Sequence, residues 1–225
     1  MNSEKNIYML DDYVILKPKN AVKSHSHKMP HILSSPNVFK LCINGEIKEG
    51  KTAIISSDVV HSIISMDENA MMMLIMPLTD LYFQINEFLN NECIVYEKQY
   101  SIEEIIYELN KTNVTYKKII EDERVIEIIE NINMDIYAEK NVSEIAKTMN
   151  FSESRLEHLF SEKTGIRIKH YLLLHKLRKA YKQVSVGKNI TDAAYEGGFS
   201  DSSHLAAVSK RLLGISVSDV FKNSI

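Results

Sequence analysis

Apolar positions change their spacing about a third of the way along the chain. From Tyr13 to Met76 they fall in short blocks, Tyr13–Leu16, Val38–Ile43, Thr52–Ile55, Val59–Ile64 and Met71–Met76, separated by turn residues. Blocks of this length, rich in β-branched or other apolar side chains, read as strands of a small barrel or sandwich. Asn44-Gly45 marks a hairpin, because both residues tolerate positive φ. After Thr79 the period lengthens, and Leu81, Ile85, Phe88 and Leu89 fall on one helical stripe. Ser101 and Glu104 form a capping box that opens a helix through about Leu109. From Asp122 the helical period runs almost to the end. The fold class expected is α+β: a small N-terminal β-barrel with following helices, then an all-α domain. The expected division is residues 1–100, a helical linker over 101–121, and 122–225, with the boundary between Asn110 and Glu121. The helices from Thr79 to Ile120 are a bridge, a dimer contact, or both.

The helical region contains an internal repeat. Asn141-Val142-Ser143-Glu144-Ile145-Ala146 matches Asn189-Ile190-Thr191-Asp192-Ala193-Ala194 at an offset of 48, and Asn150-Phe151-Ser152-Glu153-Ser154 matches Gly198-Phe199-Ser200-Asp201-Ser202. One residue is then inserted, and Leu156, Leu159, Gly165 and Ile166 align with Leu205, Val208, Gly214 and Ile215 at an offset of 49. Ser143 and Thr191 are expected N-caps, each followed by an acid that suits the positive end of a helix dipole. Ala146 and Ala194 are small enough for a second helix to cross closely. Asn150 and Gly198 suit a sharp corner with positive φ, Phe151 and Phe199 plug it, and Ser152 and Ser200 cap the next helix. Each copy therefore reads as a helix-turn-helix, at about 142–163 and 190–213, joined by a helix from about Ile168 to Val184. Helical hairpins with no nucleic-acid role are the alternative, but tetratricopeptide-like arrays have shorter repeats and need at least three copies.

The segment Ala194-Tyr195-Glu196-Gly197-Gly198-Phe199-Ser200-Asp201-Ser202-Ser203-His204-Leu205, followed by Lys210-Arg211-Leu212-Leu213-Gly214-Ile215-Ser216, resembles the signature of AraC/XylS-type transcription regulators. So does Phe151-Ser152-Glu153-Ser154-Arg155-Leu156 with Phe160 and Thr164-Gly165. The resemblance covers about residues 122–222. It implies two helix-turn-helix units facing one side of a DNA duplex, with recognition helices entering major-groove segments about one turn, ~34 Å, apart. The second copy departs from the family where Ala207 stands for a basic residue, Ser209 for an aromatic and Val217 for a proline. Those departures imply a weaker local core there, and a second unit that holds DNA mostly through shape and backbone contacts.

In the first recognition helix, Leu156, Leu159 and Phe160 face inward, leaving Glu153, Ser154, Arg155, Glu157 and His158 outward. Arg155 is the candidate for a bidentate guanine contact. Ser154 is placed to reach a phosphate or base edge, and His158 stands where the family is usually basic. The two glutamates are expected to be solvated or paired with Arg155. In the second helix Ser202, Ser203 and Lys210 are the candidate DNA contacts. On the joining helix, His175, Arg178, Lys179 and Lys182 form a basic stripe opposite Leu173, Leu177 and Ala180. It is either the wet side of an amphipathic helix or a phosphate contact.

Charge agrees with a polyanion-binding end. Residues 138–225 hold 14 Lys and Arg against 9 Asp and Glu, whereas residues 1–137 hold 13 against 21. A basic end on an acidic body suits double-stranded DNA as the partner. The N-terminus lacks the apolar run of a signal peptide, and the longest apolar stretch, Ala70–Leu78, is too short to span a bilayer. Two cysteines, Cys42 and Cys93, give no disulfide framework. The expected setting is the cytoplasm.

His25-Ser26-His27, then His31, then His61, form the other constellation. An HxH pair on a strand puts both imidazoles on one face, and His61 on a neighbouring strand would complete three nitrogen ligands for a divalent ion. This is similar to a cupin motif, the β-barrel type common in front of AraC-type domains, although the usual acid after HxH and the glycine spacing before His61 are missing. The resemblance implies an organic effector, or none, more often than a metal, and no other cofactor is indicated. The function expected is therefore a sequence-specific transcription regulator, an activator or a repressor, responding to a small effector or signal, with a second copy of the chain and RNA polymerase as the further expected partners. A metal-dependent cupin enzyme and a ligand-independent regulator controlled by a partner protein are the alternatives. The first lacks a complete metal triad-plus-acid, a nucleophile motif or a phosphate loop.

Overall fold

A computed structural model describes residues 12–17, 21–90, 92–214 and 217, together with the backbone of 7–9. Eight strands form one antiparallel sheet: β1 (Ile7–Met9), β2 (Tyr13–Leu16), β3 (Val22–His25), β4 (His31–Ile43), β5 (Glu46–Ile55), β6 (His61–Ser65), β7 (Met71–Ile75) and β8 (Cys93–Tyr96). Its spine is the β4–β5 hairpin, which turns at Asn44 (φ 50°) and Gly45 (φ 89°) and pairs Ile43 with Glu46. The register shifts between Ser34 and Phe39, so β4 changes neighbours along its length. Before the shift, His31–Ser34 pairs with β7. After it, Lys40–Ile43 pairs with β6, which in turn carries β3. Strand β8 adds to the far edge of β5 and was not expected from the sequence; its four residues are all half-buried and do not alternate. Gly50 permits its approach, since a Cβ there would lie 2.5 Å from Val95 Cγ1 and 2.6 Å from the Tyr96 carbonyl oxygen.

The sheet is buried on both faces. Leu33, Ala53, Met72 and Leu74 enter one core, while Ile32, Ile54, Met73 and Ile75 enter the other. Successive side chains of a strand point to opposite faces. Double burial accounts for the unbroken apolar run Met71-Met72-Met73-Leu74-Ile75.

The helices are α1 (Asp80–Leu89), α2 (Ile102–Asn110), α3 (Tyr116–Ile120), α4 (Glu123–Asn133), α5 (Val142–Thr148), α6 (Glu153–Thr164), α7 (Ile168–Ser185), α8 (Ile190–Glu196) and α9 (Ser202–Leu213). Thr79, Asp122 and the Ser101–Glu104 capping box start α1, α4 and α2. The segment expected to hold the domain boundary contains α3, which is tied on both sides. The Tyr116 amide donates to Asp80 Oδ1 (2.8 Å) and its hydroxyl donates to Glu130 (3.2 Å).

The two cores do not follow the order of the chain. The face of the sheet bearing Ile32 packs with α1, α2, α4, α5, α6 and the start of α7. The opposite face, with Val14, Leu33, Phe39 and Leu74, is continuous with Leu174, Leu177 and Tyr181 of α7 and Leu205, Leu212 and Leu213 of α9. The second helix-turn-helix thus shares its core with the sheet.

Candidate nucleic-acid interface

In the first repeat α5 and α6 meet at Asn150, whose φ is 56°; in the second α8 and α9 meet at Gly198, with φ 78°. The Phe151 amide donates to the Ala146 carbonyl (2.8 Å) and the Phe199 amide to that of Ala194 (2.9 Å), so both corners close identically. The caps differ from those expected. Asn141 and Asn189, not Ser143 and Thr191, accept from the amides of Glu144 and Asp192, because a short amide side chain two residues earlier already closes the first turn. Ser152 caps α6 as expected. Asp201 rather than Ser200 caps α9, accepting from His204, while the Ser200 hydroxyl donates to Asp201. The carboxylate is the stronger acceptor, and these bonds hold Asp201 below the usual range, led by the His204 amide.

On α6, Leu156 and Phe160 are fully buried and Leu159 half-buried, while Ser154, Arg155 and His158 are exposed. The two glutamates of this face pair with a lysine and not with Arg155. Lys169 at the start of α7 reaches both, 3.3 Å from Glu153 and 2.7 Å from Glu157. That leaves the Arg155 guanidinium stacked 5.6 Å above the Phe151 ring, with no carboxylate partner among the described residues. Lys169 is a component the sequence reading missed, since nothing local links it to α6. His158 lies 3.5 Å from Glu162 one turn on.

On α9, Ser203 and Lys210 are exposed and Ser202 is half-buried, while Leu205, Val208, Leu212 and Leu213 are buried. Ser209 is also fully buried. Its hydroxyl is 2.7 Å from that of Tyr181 on α7, so the opposite helix brings an aromatic ring to this region. The weaker core inferred from the family's missing aromatic is thus filled from α7 with a satisfied polar pair. Helix α8 lies very close to α7: a Cβ on Gly197 would sit 2.7 Å from Ala180 Cβ and 3.0 Å from the Lys176 carbonyl oxygen.

The basic stripe expected on α7 is interrupted. His175 is 3% exposed and bonds Asp135 (2.8 Å), with Arg178 3.2 Å from its other nitrogen. Burial lowers the His175 pKa, against the Asp135 bond that raises it. Lys182 remains exposed and Lys179, 3.3 Å from Asp135, is half-exposed.

The histidines converge. His25 ends β3 and His61 begins β6, the two being register partners with ring centroids 4.3 Å apart. His27 lies beyond the end of β3, so the HxH pair straddles a strand end instead of lying along one face. It still reaches the group, with its centroid 5.1 Å from His25 and 5.3 Å from His61. One ligating nitrogen each of His25, His27 and His61 lies within 4.8 Å of the others. His31, at the start of β4, joins from the side, 4.5 Å from the His61 ring and 5.3 Å from His27. Burial pushes His27 down to about 3, His61 down to about 4 and His31 well below its ordinary value, and neighbouring imidazoles add to the effect. All three rings are therefore neutral near pH 7.

The family described as a helix-turn-helix domain matches residues 145–223. Uncharacterised HTH-type transcriptional regulators of Staphylococcus aureus strains MSSA476 and COL are each 25% identical over 118 residues, 51% of this chain and 16% of theirs. The chain therefore spans about a sixth of the length of these curated relatives. Among solved structures, ToxT from Vibrio cholerae O395 superposes with a TM-score of 0.53 at 11% identity, covering 99% of this chain and 100% of that one. The unsaturated fatty acid-bound ToxT of Vibrio cholerae strain SCE256 gives 0.52 at 12% identity, covering 92% of each. These likenesses extend the shared fold over the sheet as well as the helices. The two exposed helices and the matched region define a double helix-turn-helix. Residues 145–223 of this chain thus match a helix-turn-helix domain in sequence and carry its paired-helix geometry.

Proposed function

We propose that this chain is a sequence-specific DNA-binding transcription regulator of the AraC type. Helices α6 and α9 read the duplex through Ser154, Arg155, His158, Ser202, Ser203 and Lys210, and the sheet acts as an effector-responsive domain. The observation that carries the reading is the sidedness of both repeats. Each buries Leu156 and Phe160, or Leu205 and Leu212, and turns its polar early positions outward. Arg155 carries most of the base readout, because Lys169 neutralises the two glutamates that would otherwise repel phosphate. The working division is residues 1–100, 101–121 and 122–225. Homodimer formation, contact with RNA polymerase, activation and a cytoplasmic setting belong to the same proposal. Among the described residues no helix is long and apolar enough to cross a membrane.

Room for an effector lies where the sheet meets the helices. A cleft of about 440 Å³ is lined by Ser26, His27, Lys28 and Asp58 on one side and by Ser161, Gly165, Arg167 and His170 on the other. Direct selection of DNA sites by the full chain, followed by titration at several salt concentrations, tests the reading. The expected result is an enriched motif with affinity that falls steeply as salt rises. Absence of any enriched motif, with weak and salt-independent retention, would overturn it.

A further inference from the structure

Four of the chain's histidines gather at one point of the sheet, beside that cleft and against the end of α9. Three have their Nδ1 atoms next to a backbone carbonyl two residues earlier: His25 with Lys23 (2.7 Å), His61 with Val59 (2.9 Å) and, more loosely, His31 with Met29 (3.5 Å). A ring that donates Nδ1–H to a carbonyl keeps its Nε2 lone pair for another partner, the arrangement that orients histidine ligands in metal sites. The fourth ring supplies an independent sign. His27 is 9% exposed, and its Nδ1 is buried with no hydrogen-bond partner. A buried polar atom left unpaired is costly, and a bound cation removes that cost.

We infer that His25, His27 and His61 form a binding site for a borderline divalent transition ion of the Zn²⁺ class, with His31 as a supporting or fourth ligand. The inference rests on the regulator reading and names the effector of that regulator as a metal ion. An all-imidazole set selects this class over Mg²⁺ or Ca²⁺, which need oxygen ligands. Each ligand nitrogen lies within 4.8 Å of the others, so closing on an ion needs only small side-chain rotations and no change of strand register.

The site is placed to act on DNA binding. Gly214, the C-cap of α9, packs directly on the ligand-bearing edge of His25. A Cβ at Gly214 would lie 2.5 Å from His25 Nε2 and 2.9 Å from its Cε1. An ion held at His25 Nε2 would sit beside Gly214, so a change in the His25 ring on binding bears directly on the seat of α9. Ion binding and the position of the second recognition helix are then linked, and the linkage is reciprocal.

The full chain, stripped with chelator and dialysed, is titrated with Zn²⁺ against a chromophoric chelator and with Co²⁺ followed by visible absorption. The expected result is one ion per chain, with His25→Ala and His61→Gln each weakening affinity by at least about 10-fold, the lower end of the loss seen even for residues that only support a ligand. Circular dichroism confirms that each variant folds, and the half-exposed position of His25 makes it the variant that tests the site if His61→Gln is unstable. DNA affinity measured with Zn²⁺ and with chelator should differ by at least about 5-fold in the wild-type chain and not in His25→Ala. Binding no tighter in the wild type than in folded His25→Ala would overturn the site. DNA binding that persists without any ion requirement would then leave the regulator reading intact, whereas ion binding without DNA binding at any salt would sink that reading alone.

Discussion

Leu213→Ala tests whether the second helix-turn-helix and the sheet are one packed unit. Leu213 is 4% exposed, in the last turn of α9. With Val14, Met29 and Met76 from the sheet side and Leu174, Leu177 and Tyr181 from α7, it lines a seam whose residual void is only about 10 Å³. Removing its three outer carbons leaves a gap that these neighbours cannot fill without moving the sheet or α7. Rigidly held Leu→Ala sites lose about 3–5 kcal/mol. A helix end can move inward more easily than a mid-helix position, which favours the lower figure, about 3 kcal/mol. For a chain of this size that lowers Tm by roughly 6–12 °C. Calorimetry and urea unfolding of the full chain, read by circular dichroism, supply the measurement. One transition that shifts as a whole is expected, because the seam is continuous with the sheet core. A shift below about 2 °C, or two separate transitions of which only one moves, would refute the shared core.

Other perturbations separate readout from charge and from pH. Arg155→Ala should weaken binding to a selected site by about 1–3 kcal/mol and relax preference at one base position; unchanged affinity and motif at fixed salt would remove α6 as the reader. Lys169→Ala frees Glu153 and Glu157 beside the duplex, so affinity should fall for all sequences alike, and a motif-selective loss would contradict the ion-pair role. Burial holds His175 below its unfolded value, so the unfolded chain binds the extra proton first as pH falls below about 6.5. Its stabilising share is complete above that pH and is lost on acidification through the folded pKa. His175→Asn should therefore flatten the stability slope below about pH 6.5 by at most about 1.4 kcal/mol per pH unit. An unchanged slope would show that the ring is not held neutral.

Much of this arrangement could be read from residue order where the cause is local. The Asn44-Gly45 hairpin, the Ser101–Glu104 box and the corners at Asn150 and Gly198 each depend on a few neighbouring residues. The repeat located both helix-turn-helix units because it recurs with its corner and core residues intact. Causes that act across the chain were hidden. Periodicity shows that Leu212 and Leu213 lie on an apolar face, but not that the sheet covers that face. It marks His175 as polar without revealing Asp135, forty positions earlier. Strand β8 lacked alternation because Cys93–Tyr96 is half-buried throughout. The histidines were visible as candidates, yet the approach of Gly214 to His25 has no signature in either segment.

Hydroxyl-radical footprinting of the full chain on a selected DNA site bears most directly on the paired recognition helices. Two protected stretches per bound chain are expected on one face of the duplex, with centres about 10 base pairs apart and the stretch under α6 weakened first in Arg155→Ala. A single protected stretch per chain, or two on opposite faces, would contradict the proposed docking of α6 and α9 in successive turns of the major groove.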